Sequence, residues 1–205
     1  MKLDKSFFLR DSVTEVAREL LGKTLYTNFD KQLTAGIVVE TEAYSYTEKA
    51  CHAYNNRRTA RTETLFRDGG TCYVYLCYGI HKLFNIVTNN EGTAEAVLIR
   101  AVEPVEGMET MLHRRGFERE TIALTSGPGK LSQALGIDLT HDKTTLFEDD
   151  IWLEDNGIDR KGIDESPRIG VAYAQEDALL PWRYTIKDNP WVSKGNNTYK
   201  TLYSK

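Results

Sequence analysis

The run Val38-Val39-Glu40-Thr41-Glu42-Ala43-Tyr44 sets two carboxylates and a phenol at alternate positions. In an extended strand side chains alternate, so Glu40, Glu42 and Tyr44 share one face and Val39, Thr41 and Ala43 the other. A carboxylate held beside an aromatic wall can take a proton from water as a general base. A neighbouring acid or an apolar wall raises the pKa of such a group, and a nearby arginine lowers it. The alternation alone does not choose between Glu40 and Glu42. Taken alone it also describes the wet face of a half-buried sheet, which is the commoner use of this pattern.

A second chemistry-bearing run is Cys72-Tyr73-Val74-Tyr75-Leu76-Cys77-Tyr78-Gly79-Ile80-His81. Tyr73 and Tyr75 face one way, as core aromatics commonly do. Tyr78 sits beside a glycine where a hairpin should turn, and an aromatic at an exposed tip suits wedging into a base stack. A tyrosine lining a pocket suits stacking on an extruded base. Metal and nucleophile readings fare poorly. His52, His81, His113 and His141 are scattered, there is no HExxH, and Cys51, Cys72 and Cys77 form no CxxC pair. Neither a metal nor a cofactor is expected. Ser126-Gly127-Pro128-Gly129-Lys130 lacks the phosphate-loop spacing. Its backbone N–H groups would suit one phosphate at a helix start, and a plain helix-entry turn explains them equally.

These residues need elements to hold them. Ser12-x-x-Glu15 reads as a capping box, followed by Val13, Val16, Ala17, Leu20 and Leu21 at helical spacing and by Gly22 at the stop. Strands are predicted over 25–29 and 36–44 about a turn at 30–32, over 71–77 and 83–88 about Tyr78-Gly79, and over 96–102, 151–153, 169–173 and 183–186. Helices are predicted over 106–115 and 130–135. Strands at hairpin distance with irregularly placed helices indicate an α+β fold: one mixed domain over 1–205, with a curved, largely antiparallel sheet and flanking helices. The acidic stretch 142–165 is expected to be an exposed excursion rather than a boundary.

The 205 residues carry a net charge of −4, which by itself argues against nucleic acid. The charge is uneven, however. Residues 49–67 hold five bases (Lys49, Arg57, Arg58, Arg61, Arg67) against Glu63, whereas 142–165 hold nine acids against three bases. Screening beyond about 8–10 Å lets a local patch act independently of a distant one. On charge alone a solvated loop explains the basic run. No apolar run is long enough to span a bilayer, and residues 1–10 lack a signal-peptide pattern, so neither a membrane nor secretion is expected. Three cysteines without a framework point to a reducing compartment.

Several segments together resemble one family, the alkyladenine (3-methyladenine) DNA glycosylases of the mammalian type. They are Val39-Glu40-Thr41-Glu42-Ala43-Tyr44, His52-Ala53-Tyr54, Tyr73 to Gly79, Phe84-Asn85-Ile86, Val97 to Pro104, Ser126 to Leu131, Ser166-Pro167-Arg168-Ile169-Gly170 and Asn189-Pro190-Trp191-Val192-Ser193. They keep the family's order across residues 6–193. Thr59-Ala60-Arg61 lacks a proline common in the family, Ser132 replaces a frequent cysteine, and Asp68-Gly69-Gly70 replaces a Pro-Gly pattern. None of these touches the matched site. The resemblance implies a DNA-inserting β-hairpin, Glu42 as general base, and Arg100 as the arginine that holds the catalytic water. It also implies Tyr44, His52 and Tyr75 as walls around a flipped base, and Asn85 as the group that crowds the guanine 2-amino substituent. Tyr78 would fill the gap in the stack. Arg57, Arg58, Arg61 and Lys130 are candidates for the DNA backbone, and residues 168–170 for the lining of the water site.

The implied reaction is hydrolysis of the N-glycosidic bond of an alkylated or deaminated purine in double-stranded DNA: 3-methyladenine, 7-methylguanine, hypoxanthine or ethenoadenine. It leaves an abasic site without cutting the strand. The protein is expected to act as a monomer, in the cytoplasm or nucleoid of a bacterium or the nucleus of a eukaryote. A lesion-binding protein without catalysis and an enzyme acting on RNA bases are the alternatives. The first needs neither Glu42 nor Arg100, and the second must accept a 2′-OH.

Overall fold

The computed structural model describes residues 1–158 and 162–195. The expected domain span 1–205 and the acidic stretch 142–165 therefore lie partly outside the described residues. Helix α1 is Lys5–Phe8 and α2 is Val13–Leu20. Ser12 caps α2 by accepting from the Glu15 N–H at 3.3 Å, and the buried stripe Val13, Val16, Ala17 and Leu20 faces the sheet. Strand β1 (Thr24–Phe29) turns into β2 (Gln32–Ser45) through Asp30 and Lys31, both at positive φ (53° and 63°). Two such residues match the right-handed twist of a tight hairpin.

Strand β3 (Cys72–Cys77) pairs with β4 (His81–Val87), and β5 (Glu95–Glu106) follows. Helix α3 is Met108–Arg115 and α4 is Pro128–Leu135. Strands β6 (Ile151–Glu154), β7 (Ile163–Ser166) and β8 (Arg183–Ile186) complete the sheet. Its order is β3-β4-β5-β2-β1-β6, with β8 joined to β2 and β7 to β8, and every pairing is antiparallel. The fold is α+β, as the sequence predicts. Among the described residues no helix is long and apolar enough to cross a membrane.

Three expectations need correction. Residues 169–173 are not a strand. Gly170 has φ 79° and the chain enters a helical turn at Ala172–Leu179, while the strand lies upstream at β7. The Ile169 N–H is taken by a side chain, so no ladder forms there. The helix predicted from 106 begins at Met108, because β5 continues through Glu106. The acidic stretch is not merely an excursion, since β6 pairs with β1 and buries Ile151 and Leu153.

Alternation sorts the two faces. Cys72, Val74, Phe84, Ile86, Val97, Ile99, Ala101 and Ala43 join the main core with α2, α3 and α4. Tyr73, Tyr75, Asn85, Leu98, Arg100 and Tyr44 face the other way, into a cleft. Strands β2 and β5 approach closely: a Cβ on Gly36 would lie 2.6 Å from Val102 Cγ2.

Candidate active site

Strand β2 is the longest in the sheet, and it changes partners along its length. Its first part pairs with β1 as far as Ile37, and Glu40, Thr41 and Glu42 pair with β8. On its other edge β5 pairs from Ala35 to Ser45, with register shifts after Ala35 and between Val38 and Thr41. A local irregularity of this kind bends a strand and re-aims its side chains. The two carboxylates and Arg100 meet at this point.

Arg100 donates from Nε to Glu40 Oε1 at 2.9 Å and from Nη1 to Glu42 Oε2 at 3.3 Å. Glu40 is saturated, accepting also from Arg183 Nε at 2.7 Å, the Ser193 N–H at 2.7 Å and Ser193 Oγ at 2.9 Å. Burial pushes the Glu40 carboxyl up, but Arg100 and Arg183 with the Arg183 and Ser193 hydrogen bonds outweigh it and hold its pKa below the ordinary value. Burial acts against the Arg100 charge, and Glu42 and Glu40 more than restore it.

Glu42 has a different set of partners. Its Oε2 accepts from the Tyr44 hydroxyl at 2.7 Å and its Oε1 from the Ile169 N–H at 2.7 Å. Glu42 is fully buried, and the three residues that hold it all line the cleft. Burial and the Glu42 charge push the Tyr44 phenol well up, so it stays protonated and donates. The alternation that left Glu40 and Glu42 equivalent is broken by these partners: Glu40 is consumed by structure, whereas Glu42 is seated behind the cleft wall.

The cleft has a volume of about 750 Å³, within the ~300–1,000 Å³ usual for small-ligand sites. Aromatic side chains dominate it. His52 meets Tyr75 edge-on at 4.6 Å between centroids, and its Nδ1 is 3.0 Å from the Tyr73 hydroxyl. Tyr73 stacks on Tyr75 at 5.4 Å. Burial, helped by the Arg61 charge, lowers the His52 pKa to about 4, so the ring is neutral at pH 7. Asn85 is buried, its Nδ2 donating to Tyr73 O at 3.1 Å and Leu83 O at 3.3 Å, and it faces the cleft. Tyr78 stands at the hairpin tip with φ 50° and 86% of its surface exposed.

The basic candidates divide. Arg61 lies over the Tyr75 ring at 5.5 Å and, with Lys130 at the start of α4, lines the cleft. Arg57 is exposed beside them in sequence but does not line it. Arg58 pairs with Glu63 through two hydrogen bonds, 2.8 and 2.6 Å, and covers Phe66. The structure therefore brings Arg100, Tyr44, His52, Tyr75 and Asn85 to one cleft, which Tyr78, Arg61 and Lys130 also line, and sets Glu42 directly behind its wall.

Arg183, Ser193 and Glu48 had no role assigned from sequence, and Ile169, whose N–H holds Glu42, and Arg168, which pairs with Glu48 at 2.8 Å, were expected only as part of the 168–170 stretch that lines the water site. Ile169, Arg168 and Ser193 fall in the family-like segments, which was the available signal. Arg183 and Glu48 carried none.

A family model described as methylpurine-DNA glycosylase matches residues 6–190. A protein of Chlamydia felis is 44% identical over 186 residues, 90% of this chain and 95% of its own length. One of Clostridium tetani is 43% identical over 203 residues, 95% of this chain and 100% of its own. Both are provisionally named 3-methyladenine DNA glycosylase. An aromatic cleft beside a buried, arginine-held carboxylate is thus joined to a match over nearly the whole sequence, and the chain belongs to the methylpurine-DNA glycosylase family, the DNA glycosylases of DNA repair.

Proposed function

We propose that this glycosylase hydrolyses the N-glycosidic bond of alkylated and deaminated purines, the class of 3-methyladenine, 7-methylguanine, hypoxanthine and ethenoadenine. The observation that carries the reading is the seating of Glu42: Tyr44, Arg100 and the Ile169 N–H hold one carboxylate at the wall of an aromatic cleft.

The damaged nucleotide is extruded into the cleft at a cost of a few kcal/mol that is least for damaged pairs, and Tyr78 fills the gap it leaves. Tyr44, Tyr75 and neutral His52 enclose the base. As the C1′–N bond breaks, positive charge develops on the sugar. Glu42 faces that charge and takes the proton from water as its oxygen bonds to C1′. The bond's electron pair leaves with the base. A cationic alkylated base departs neutral, whereas a neutral lesion needs a proton. The tethered Asn85 side chain crowds the guanine 2-amino group. With water, rather than a lysine amine, as the nucleophile at C1′, the enzyme is monofunctional and leaves an abasic site in an uncut strand. One chain supplies every assigned residue, which supports action as a monomer. The bacterial relatives favour the cytoplasm or nucleoid.

Incubation with duplex DNA carrying 3-methyladenine or hypoxanthine should release the base and give strand breaks only after alkaline treatment. No release from any such duplex would overturn this reading.

A further inference from the structure

Arg168 heads the largest fully buried side chains of the molecule. Its Nη1 and Nη2 each donate to one oxygen of Glu48 at 2.8 Å, Nη1 also to Ala43 O at 2.8 Å, and Nη2 to Asp177 O at 3.1 Å. The guanidinium lies 4.8 Å from the Tyr44 ring centroid and 5.3 Å from that of Trp182. Its Nε is buried without an acceptor, so hydrogen bonding alone does not set its place between the rings. Tyr44 lines the cleft and Arg168 does not, so the cation sits behind the ring that a flipped base would stack upon. The next residue, Ile169, supplies the N–H that holds Glu42. Glu48 keeps the guanidinium charged against its burial.

An aromatic face attracts a cation because its π cloud is negative. A cation held on one face draws on that cloud and leaves the other face a poorer partner for a second cation, while a neutral base loses little. At a buried site the interaction is screened much less than at the surface. We propose that Arg168 is a positioning residue that fixes the Tyr44 ring and sets the cleft's discrimination between cationic and neutral purines, lowering the advantage of the cationic ones. This rests on the glycosylase reading above. Arg61 lies over Tyr75, but it is exposed and screened by solvent.

The test is the ratio of single-turnover excision rates on duplexes carrying 7-methylguanine, a cationic base, and hypoxanthine, a neutral one. Loss of folded protein divides out of that ratio. Glu48→Gln bares the cation, and the ratio should fall about threefold or more. Arg168→Gln combined with Glu48→Gln removes both charges, and the ratio should rise by a similar factor. Opposite shifts from two changes at one ion pair do not follow from a purely structural role. If the double variant does not fold, the fall in Glu48→Gln decides. If wild type fails to excise one of the two lesions, duplex affinities for both replace the rates. An unchanged ratio in Glu48→Gln, with wild type active on both, refutes the role of Arg168 and leaves the function standing. Wild type that neither excises nor binds either lesion overturns the function, and this inference with it.

Discussion

Replacing Glu40 and Glu42 by glutamine, one at a time, should damage the protein in opposite ways. Glu40 accepts four hydrogen bonds, two of them from arginines. The glutamine amide has a single acceptor oxygen and no charge, so Arg100 and Arg183 lose their shared counter-ion inside the protein. Breaking a buried pair in this way costs about 3–5 kcal/mol. Glu42→Gln is milder. The amide oxygen still accepts from the Ile169 N–H, the amide nitrogen can donate to a reoriented Tyr44 hydroxyl, and only the 3.3 Å bond from Arg100 is lost. Because Arg100 keeps Glu40 as its counter-ion, losing this charge-assisted bond amounts to about 1.5–3 kcal/mol. Activity should order the other way. On the proposed mechanism, Glu42→Gln removes the general base, an effect of about 10²- to 10⁴-fold, and the charge facing the sugar cation. Its single-turnover excision should fall at least about 10³-fold with lesion-duplex affinity nearly intact. Glu40→Gln should lose more in urea midpoint and, per folded molecule, far less in rate. A Glu40→Gln protein that is stable and inactive, beside an active Glu42→Gln, would refute the assignment.

Three further outcomes are expected. His52, lowered to about 4 in the folded chain against an ordinary 6.5, stabilises the fold above pH 6.5 and loses that contribution as pH falls from 6.5 to 4, at most about 3 kcal/mol; an NMR titration midpoint near 6.5 would show that its burial does not govern it. Tyr78→Ala should leave the urea midpoint nearly unchanged, because the side chain is exposed, and weaken lesion-duplex binding by about 1–3 kcal/mol; unchanged affinity would remove the tip from recognition. Arg61→Gln should lower the slope of log affinity against log salt by about one, whereas Arg58→Gln, already paired with Glu63, should scarcely alter it. Equal drops would mean that the Arg58–Glu63 pair opens on DNA.

The strands that form the cleft floor were legible in the sequence because each obeys a period of two with one face in the core. Tyr73, Tyr75, Asn85, Leu98 and Arg100 all follow from that period once the strands are placed. Strand β7 was not legible: it lies at an edge, pairs only with β8 and is largely exposed, so burial leaves no apolar signature in Ile163-Asp164-Glu165-Ser166. The stretch 169–173 misled for the converse reason. Its apolar residues pack at the cleft rim, and its backbone bonds a carboxylate instead of a strand. Alternation also could not separate Glu40 from Glu42. Their difference comes from Arg183, Ser193 and Ile169, residues more than 120 positions away, and the family resemblance alone singled out Glu42.

The change of partners along β2 bears on how the molecule opens. At Glu40, Thr41 and Glu42 the strand is flanked by β5 on one edge and β8 on the other, so exposing those amides requires much of the sheet to come apart. The β3–β4 hairpin is anchored to β5 only through Asn85, Ile86 and Val87, and its outer half, toward Tyr78, pairs with itself. Local opening is cheapest where few bonds must break. Amide hydrogen exchange should therefore be slowest around Glu40–Glu42 and fast from Leu76 to Lys82. On the proposed function, one continuous sheet would then hold the carboxylate in its most protected part and present Tyr78 from a hairpin end that opens without exposing it.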